Sequence, residues 1–212
     1  MQRPYYKSIF YKFMRIVFRL SAMVFYRYRY FGAHHIPETG GGLICSNHQS
    51  NLDPALVGII SKRHLNFVAK DALFFFPLNV IIYLLDAIPV TQEGMSIAGI
   101  KETLKRTKRG ELALIFPEGH RTHNGDLLPF MPGFITIARR TKVPLIPVGM
   151  DGAYQAWPRH RSFPLPGRVV VVAGEPIHPE QYLSLTDEQI IELLQSRIRE
   201  CFEEAKRIRL KR

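Results

Sequence analysis

The sequence is poor in cysteine, and its first part has no acidic residue. The 212-residue chain has only two cysteines, Cys45 and Cys201, far apart and without the spacing of a metal-binding motif. This scarcity argues against a disulfide framework and favours a reducing, intracellular compartment. No acidic residue precedes Glu38, whereas seven Lys and Arg residues do.

The sequence also lacks a clear membrane span and a signal peptide. Arg15 and Arg19 interrupt every apolar window of about 20 residues near the start of the chain. That segment has no small-residue cleavage site. The strongly apolar stretch 72–85 is too short to cross a bilayer and contains Pro77 and Asn79. It predicts either a core helix or a wall for an apolar ligand.

Positive charge is concentrated at the two ends of the chain. The net charge is +11, and residues 1–37 and 206–212 together carry twelve Lys and Arg and no acid, so the remainder is nearly neutral. Basic ends bind either nucleic acid or an anionic membrane surface. Eleven of the 24 aromatic residues lie within residues 1–31. So much apolar surface favours the membrane over nucleic acid.

The segment 9–24 predicts an amphipathic helix. Its apolar residues fall on one helical stripe, and its basic residues fall on another: Ile9, Phe13, Ile16, Val17, Leu20 and Val24 on the first, and Lys12, Arg15 and Arg19 on the second. A wide apolar face beside a narrow basic stripe is typical of a helix lying in a bilayer interface. The alternative is an amphipathic helix whose apolar stripe packs on its own domain.

Strand-like and helix-like segments alternate through the rest of the chain. The predicted strands are 43–46, 66–69, 87–90, 112–116, 145–149 and 169–173, and the predicted helices are 54–61, 77–85, 96–107, 133–140 and 187–207. This alternation predicts a single αβα layered domain of the α/β class with a mostly parallel central sheet, preceded by the N-terminal helix.

The stretch "NHQSNLDP" follows the strand predicted at 43–46 and contains His48 and Asp53. Asp53 followed by Pro54 is typical of a helix start, with aspartate as the N-cap. The functional interpretation is that Asp53 accepts a hydrogen bond from one imidazole nitrogen of His48. The other nitrogen then takes a proton from a substrate hydroxyl. This pattern alone is weak, because a histidine and an aspartate five residues apart occur by chance in many proteins.

A second polar segment, "LIFPEGHRTHNG", runs from a predicted strand into Glu118, Gly119 and Arg121. Arginine offers a planar fork of donors for phosphate or carboxylate, and glycine lets a backbone N–H approach an oxyanion. The alternatives are a glycine turn with a Glu118–Arg121 salt bridge, or a metal site formed with His120 and His123. The spacing matches none of the usual metal-ligand signatures. A third segment, "KVPLIPVGMDG", predicts a strand that ends near the same cleft.

Three motifs in this order, "NHQSNLDP", "FPEGHRT" and "VPLIPV", resemble those of the glycerolipid acyltransferases, especially the 1-acyl-glycerol-3-phosphate (lysophosphatidate) acyltransferases. Several shorter pieces are also similar: "FVAKDALFFFPL", "AIPV", "LLPFMPGFITIA" and "AGEPI". The resemblance covers about residues 32–176. It implies transfer of a fatty acyl group from acyl-CoA or acyl carrier protein to a lyso-glycerolipid hydroxyl, with no metal and no cofactor.

The resemblance also implies roles for individual residues. His48 would be the general base and Asp53 would orient it. The implied substrate-binding residues are Asn47, Lys70, Glu118, Gly119, Arg121 and Pro147, with Pro147 on the acyl-donor side. A membrane-interface helix would occupy residues 1–31 and the acyltransferase domain, with a basic C-terminal helix, residues 32–212. We expect the protein at the cytoplasmic face of the cell membrane, peripheral or monotopic, bound to phospholipid and not to nucleic acid.

Two positions depart from the family pattern and bear on the acceptor. An arginine usually follows the segment like "AIPV", where this chain has Thr91 and Gln92. A lysine often precedes the glycine of the segment like "PFMPG", where this chain has Met131 and Pro132. Both missing cations would help to hold a phosphate. The implied acceptor is 1-acyl-glycerol-3-phosphate, giving phosphatidate; the alternatives are another lyso-lipid acceptor or a non-catalytic lipid-binding protein.

Overall fold

A computed structural model describes residues 4–70, 78–90 and 97–211. The strands are β1 (Arg29–Phe31), β2 (Gly42–Ser46), β3 (Leu65–Lys70), β4 (Ile88–Val90), β5 (Leu112–Ile115), β6 (Leu145–Asp151) and β7 (Val170–Ala173). The helices are α1 (Tyr5–Tyr26), α2 (Asp53–Gly58), α3 (Leu78–Leu84), α4 (Ile97–Lys108), α5 (Gly133–Thr141), α6 (Ala153–Ala156), α7 (Pro179–Tyr182) and α8 (Asp187–Leu210).

The strands form one mostly parallel sheet in the order β1-β7-β6-β2-β5-β3-β4, as predicted. Only the β6–β7 pair is antiparallel among the described strands. Each of the six predicted strands overlaps one of β2 to β7. The five helices predicted after the N-terminal one overlap α2 to α5 and α8, although the predicted starts at Pro77 and Ser96 lie outside the described residues. The prediction missed β1, which is three residues long.

Helices cover both faces of the sheet, so the αβα layering is confirmed. Neighbouring residues of a strand point to opposite faces. Ile44, for example, packs in the core layer beneath α1 and α2, whereas Leu43 packs in the layer beneath α5 and α8. Because both faces of β2, β5 and β6 are covered, these strands are buried along their whole length. They therefore read as continuous apolar runs.

The long helix α8 lies unusually close to β6. A Cβ built on Gly149 would lie 2.1 Å from the backbone nitrogen of Phe202 and 2.3 Å from the carbonyl carbon of Cys201. Only glycine permits this approach of helix backbone to strand backbone. The contact fixes α8 against the strand that neighbours β2.

The helix α1 turns its apolar stripe away from the domain. Ile9, Phe13, Ile16, Leu20 and Val24 are each more than half exposed. The domain side of the helix instead buries Lys7, Tyr11, Ala22 and Tyr26. The alternative in which the apolar stripe packs on its own domain is therefore wrong.

Three basic residues of α1 bond to other parts of the chain. Lys7 Nζ lies 3.0 Å from Asp86 Oδ1, Arg15 donates a hydrogen bond to the Ser61 carbonyl, and Arg19 donates one of 2.7 Å to the Tyr30 hydroxyl. These polar contacts fasten the helix to the domain and leave its apolar stripe outward. Among the described helices, none is both long and apolar enough to cross a bilayer.

The apolar segment 72–85 is described only in part. Residues 72–77 lie outside the described residues, and α3 covers most of the rest. Ile82 is buried beside Ala87 and Phe67, whereas Val80 and Tyr83 are about half exposed. The described part of this segment thus faces both the domain interior and the surface.

Candidate active site

Two polar segments meet at the carboxyl edge of the sheet. β2 and β5 are parallel neighbours, so the loops that follow Ser46 and Ile115 leave the sheet at the same edge. Two hydrogen bonds then join the loops. The Thr122 N–H donates to the His48 carbonyl at 2.8 Å, and the His48 N–H donates to Glu118 Oε1 at 3.1 Å. The fold therefore brings the motifs around His48 and Glu118 into one site.

His48 and Asp53 are directly hydrogen-bonded. Nδ1 of His48 lies 2.7 Å from Oδ2 of Asp53. The same oxygen accepts the backbone N–H groups of Gln49 at 2.5 Å and Ser50 at 2.7 Å. Three donors on one oxygen fix the carboxylate and require the imidazole proton to be on Nδ1. Nε2 is then the ring nitrogen able to accept a proton.

Asp53 does not cap the helix that it begins, contrary to the prediction. α2 starts at Asp53 itself, the residue before it is Leu52, and no side chain caps the helix. The carboxylate turns back to the loop amides of Gln49 and Ser50 instead of forward into the helix. Pro54 does lie in the first turn, as predicted. The Asp53 carboxylate therefore bonds to the loop amides and the imidazole.

The imidazole of His48 is held in a partly open position. Its ring stacks on Phe116, with centroids 4.0 Å apart and planes inclined by 14°. The His48 side chain is 19% exposed, whereas the Asp53 side chain is fully buried. The pair thus has one inaccessible member that orients and one member that a substrate can reach.

Glu118 is buried beneath the site. It is 1% exposed, and its second oxygen accepts the Leu128 N–H at 3.3 Å. The pKa of this carboxyl is raised to about 8. Burial is the largest cause, the two backbone hydrogen bonds act in the opposite direction, and the nearby Asp53 charge adds to the rise. The carboxyl group holds the backbone of His48. This arrangement indicates a positioning residue.

Gly119 and Met131 lie side by side. Gly119 has φ +74° and donates its N–H to the Phe116 carbonyl at 3.0 Å, so this N–H serves a turn. A Cβ on Gly119 would lie 2.7 Å from Sδ of Met131. Met131, which stands where the family often has a lysine, is therefore beside the Glu118 segment. Arg121 is half-buried two residues further on.

The other predicted substrate-binding residues have different surroundings. The Asn47 side chain donates to the Met150 carbonyl at 2.9 Å and accepts the Met150 N–H at 2.8 Å, which ties the end of β2 to β6. Pro147 is buried within β6 and is paired in register with Cys45 of β2. Its carbonyl accepts a weak hydrogen bond of 3.9 Å from the Cys201 thiol. Lys70 ends β3, but its side chain lies outside the described part of the chain, as do Thr91 and Gln92.

Nucleophilic and metal alternatives find little support around His48. Burial raises the pKa of the Cys45 thiol far above its usual value. Ser46 and Ser50 are also buried, and their hydroxyls bond to backbone groups of their own loop. In the described ranges, no group of three or more His, Cys, Asp or Glu side chains is arranged to hold a metal ion.

Two residues that position the site were not predicted from the sequence. Phe116 supports the His48 ring by stacking. Gln49 donates to the Gly125 carbonyl at 2.8 Å and accepts the Tyr154 N–H at 3.2 Å. Gln49 lies inside the quoted motif and Phe116 begins the next one. Their positions were visible in the sequence, but the contacts depend on how the two loops fold together.

Comparison with known proteins gives a consistent result. The profile of the family described as Acyltransferase matches residues 27–151. A 1-acyl-sn-glycerol-3-phosphate acyltransferase from Bacillus subtilis is 28% identical over 176 residues, covering 80% of this chain and 85% of that protein. The 1-acyl-sn-glycerol-3-phosphate acyltransferase alpha of Mus musculus is 30% identical over 167 residues. That match covers 74% of this chain but only 58% of the mouse protein.

The fold also has a counterpart among solved structures. The 1-acyl-sn-glycerophosphate acyltransferase from Thermotoga maritima is similar with a TM-score of 0.80 and 26% sequence identity. The similarity covers 94% of this chain and 79% of that one. Family profile, relatives and fold therefore all point to the same group of proteins.

Proposed function

Since this chain belongs to the acyltransferase family, we propose that it transfers a fatty acyl group from a thioester to the free hydroxyl of a lyso-glycerolipid. The acceptor is 1-acyl-glycerol-3-phosphate and the product is phosphatidate, an intermediate of phospholipid biosynthesis. The observation that carries the proposal is the 2.7 Å hydrogen bond from His48 Nδ1 to the buried Asp53. It leaves a reachable imidazole nitrogen at the edge of a sheet.

The proposed reaction needs one general base. His48 Nε2 removes the proton from the acceptor hydroxyl while the hydroxyl oxygen attacks the thioester carbonyl carbon. The new C–O bond forms, the tetrahedral adduct collapses with cleavage of the C–S bond, and the leaving thiolate takes the proton from the imidazolium. Asp53 stabilises the imidazolium charge and fixes the ring during both transfers.

A direct transfer fits the surroundings of His48 better than an acyl-enzyme. A covalent route needs a nucleophile within reach of the base. Cys45, Ser46 and Ser50 are all buried, and the first lies inside β2. The thioester is already activated and its thiolate is a good leaving group, so a positioned base and an oxyanion donor suffice. The donor is acyl-CoA or acyl-acyl carrier protein.

The acceptor assignment rests on the relatives, which are named as 1-acyl-sn-glycerol-3-phosphate acyltransferases, and on Arg121. An arginine can form a bidentate contact with a phosphate, and Arg121 lies three residues after Glu118 in the same segment. Met131 beside Gly119 favours a second candidate, another lyso-lipid acceptor with less phosphate charge to neutralise. The two candidates differ in the acceptor headgroup and share the same chemistry at His48.

We further propose that the protein acts on the cytoplasmic face of the cell membrane. The outward apolar stripe of α1 is suited to the headgroup region of a bilayer. In that orientation the acceptor, which is itself a membrane lipid, approaches the domain from the surface on which the helix lies.

An acceptor screen tests the proposal. Lysophosphatidate and a set of other lyso-lipids are offered with one acyl-CoA and one acyl-acyl carrier protein, and products are identified by mass spectrometry. Phosphatidate formation supports the assignment. Product from another acceptor alone favours the second candidate. Liposome binding without turnover of any acceptor contradicts acyl transfer and leaves a non-catalytic lipid-binding protein.

A further inference from the structure

Five cationic side chains from distant parts of the chain converge on one cavity. We name them the basic cluster: Arg27, Arg29, Arg168, Arg209 and Lys211. The cavity has a volume of about 280 Å³ and is also lined by Val170 and Ile208. Its residues come from the end of α1, the starts of β1 and β7, and the end of α8. The tertiary fold therefore brings these charges together.

The charge in this cavity is poorly compensated. Arg209 pairs with the buried Asp151 at the end of β6. Arg27, Arg29, Arg168 and Lys211 are exposed around the same cavity. Gathering like charges costs free energy that a bound anion offsets. The cluster therefore has the electrostatic character of a site for a multiply charged anion.

The basic cluster lies on the same edge of the sheet as His48. β2 and β6 are parallel, so His48 and Asp151 both lie at the carboxyl edge. β7 runs antiparallel to β6 and pairs Val170 with Asp151, and β1 pairs Arg29 with Val170. The starts of β7 and β1 therefore share that edge. β7 is two strand positions from β2 and β1 is three, which is about 10–14 Å at the usual strand spacing of about 4.8 Å.

From this geometry we propose that the basic cluster binds the phosphate groups of the coenzyme A nucleotide in the acyl donor. This inference rests on the proposed function, because it takes the donor to be a thioester. The 3′-phosphate and the pyrophosphate of coenzyme A are separate anionic groups, and arginine forks bind phosphate bidentately. Ile208 gives the cavity an apolar surface for the adenine ring. The extended pantetheine arm is longer than the lateral separation from His48, so the thioester reaches the imidazole.

Two thioester donors distinguish this role from others. One is acyl-CoA, and the other is the N-acetylcysteamine thioester of the same acid, which has the reacting group but no nucleotide. The variant is Arg168→Glu, with Arg168→Gln as a milder change. The matched control is Arg140→Glu, which makes the same charge change at an exposed position of α5, near the opposite edge of the sheet.

The expected result is a donor-specific defect. In Arg168→Glu the KM for acyl-CoA rises by about tenfold, as for loss of a charge-assisted hydrogen bond. The KM for the N-acetylcysteamine thioester and the kcat with either donor stay as in the wild type. Arg168→Gln shows a smaller increase in the acyl-CoA KM, and Arg140→Glu shows none. Adenosine 3′,5′-bisphosphate competes with acyl-CoA in the wild type and loses potency in Arg168→Glu.

Other outcomes overturn the assignment. If Arg168→Glu raises the KM equally for both donors, or for neither donor, the cluster does not recognise the nucleotide. Reduced binding to vesicles containing anionic phospholipid, with equal loss for both donors, makes the cluster a membrane contact instead. If neither donor is turned over by the wild type, the proposed function fails. Calorimetric titration with adenosine 3′,5′-bisphosphate then tests the nucleotide site independently of turnover. An absence of binding would refute the site.

Discussion

The backbone N–H of His48 donates a 3.1 Å hydrogen bond to the carboxyl group of Glu118, although 70 residues separate them in the sequence. Together with the Thr122–His48 backbone bond, it joins the loop after β2 to the loop after β5. Glu118 thus fixes the main chain of His48 while Asp53 fixes its ring. The loop that carries the proposed general base is thereby held at two points.

The buried carboxyl of Glu118 makes stability depend on pH. Its pKa is about 8 in the folded protein against 4.5 for the free group, mainly because of burial. The folded state thus binds more protons than the unfolded state between these values, and stability falls as pH rises through this window. In chemical denaturation, Glu118→Gln should lack this fall and gain stability relative to the wild type from pH 5 to 8. Glu175→Gln, at an exposed position, should follow the wild type; parallel pH profiles for Glu118→Gln and wild type would contradict the assignment.

Removing the base should stop transfer without unfolding the protein. We expect His48→Ala to lower kcat by about 10²–10⁴-fold, the usual contribution of a general base. Asp53→Asn should also abolish most activity, since the imidazolium loses its charged partner. Circular dichroism and thermal melting test the fold, and His160→Ala, at an exposed histidine, is the control. Retained activity in a well-folded His48→Ala protein would contradict the proposed mechanism.

Asn47 offers a test between binding and structure. Both polar ends of its amide bond the backbone of Met150, and the side chain is 1% exposed. Asn47→Ala leaves two backbone groups without partners, which costs about 1–3 kcal/mol each. We expect a lower melting temperature and an unchanged KM for the acceptor in the folded fraction. A raised acceptor KM at unchanged stability would restore Asn47 to substrate binding.

Met131 is where acceptor preference can be changed. Met131 is 48% exposed and lies against Gly119. Met131→Lys adds a cation there, and an added charge at a half-exposed site is worth about 1 kcal/mol. We expect the KM for lysophosphatidate to fall by about fivefold, with no change for a zwitterionic lyso-lipid. Met131→Gln controls for the loss of the methionine, and equal effects of both substitutions would exclude electrostatics.

The sequence predicted what local pattern and motif order determine. Apolar runs predicted β2 to β7. The three motifs together, and not the spacing of His48 and Asp53 alone, predicted the hydrogen bond between these two residues. Contacts between distant loops were not predicted: the hydrogen bond from the His48 N–H to the Glu118 carboxyl joins residues 70 positions apart. β1 was missed because three residues carry too little pattern. The N-cap prediction for Asp53 failed because the loop amides and the imidazole take the carboxylate first.

The polar fastening of α1 to the domain has a geometric consequence. Lys7 binds Asp86 near one end of the helix, and at the other end Val169 donates its N–H to the carbonyl of Tyr26 at 2.9 Å. Helix and sheet therefore tilt together. In the proposed membrane orientation, the depth at which the apolar stripe settles also sets the height of His48 above the lipid headgroups. In that orientation His48 would stand at a constant height, and every acceptor would have to rise the same distance from the bilayer to reach the imidazole.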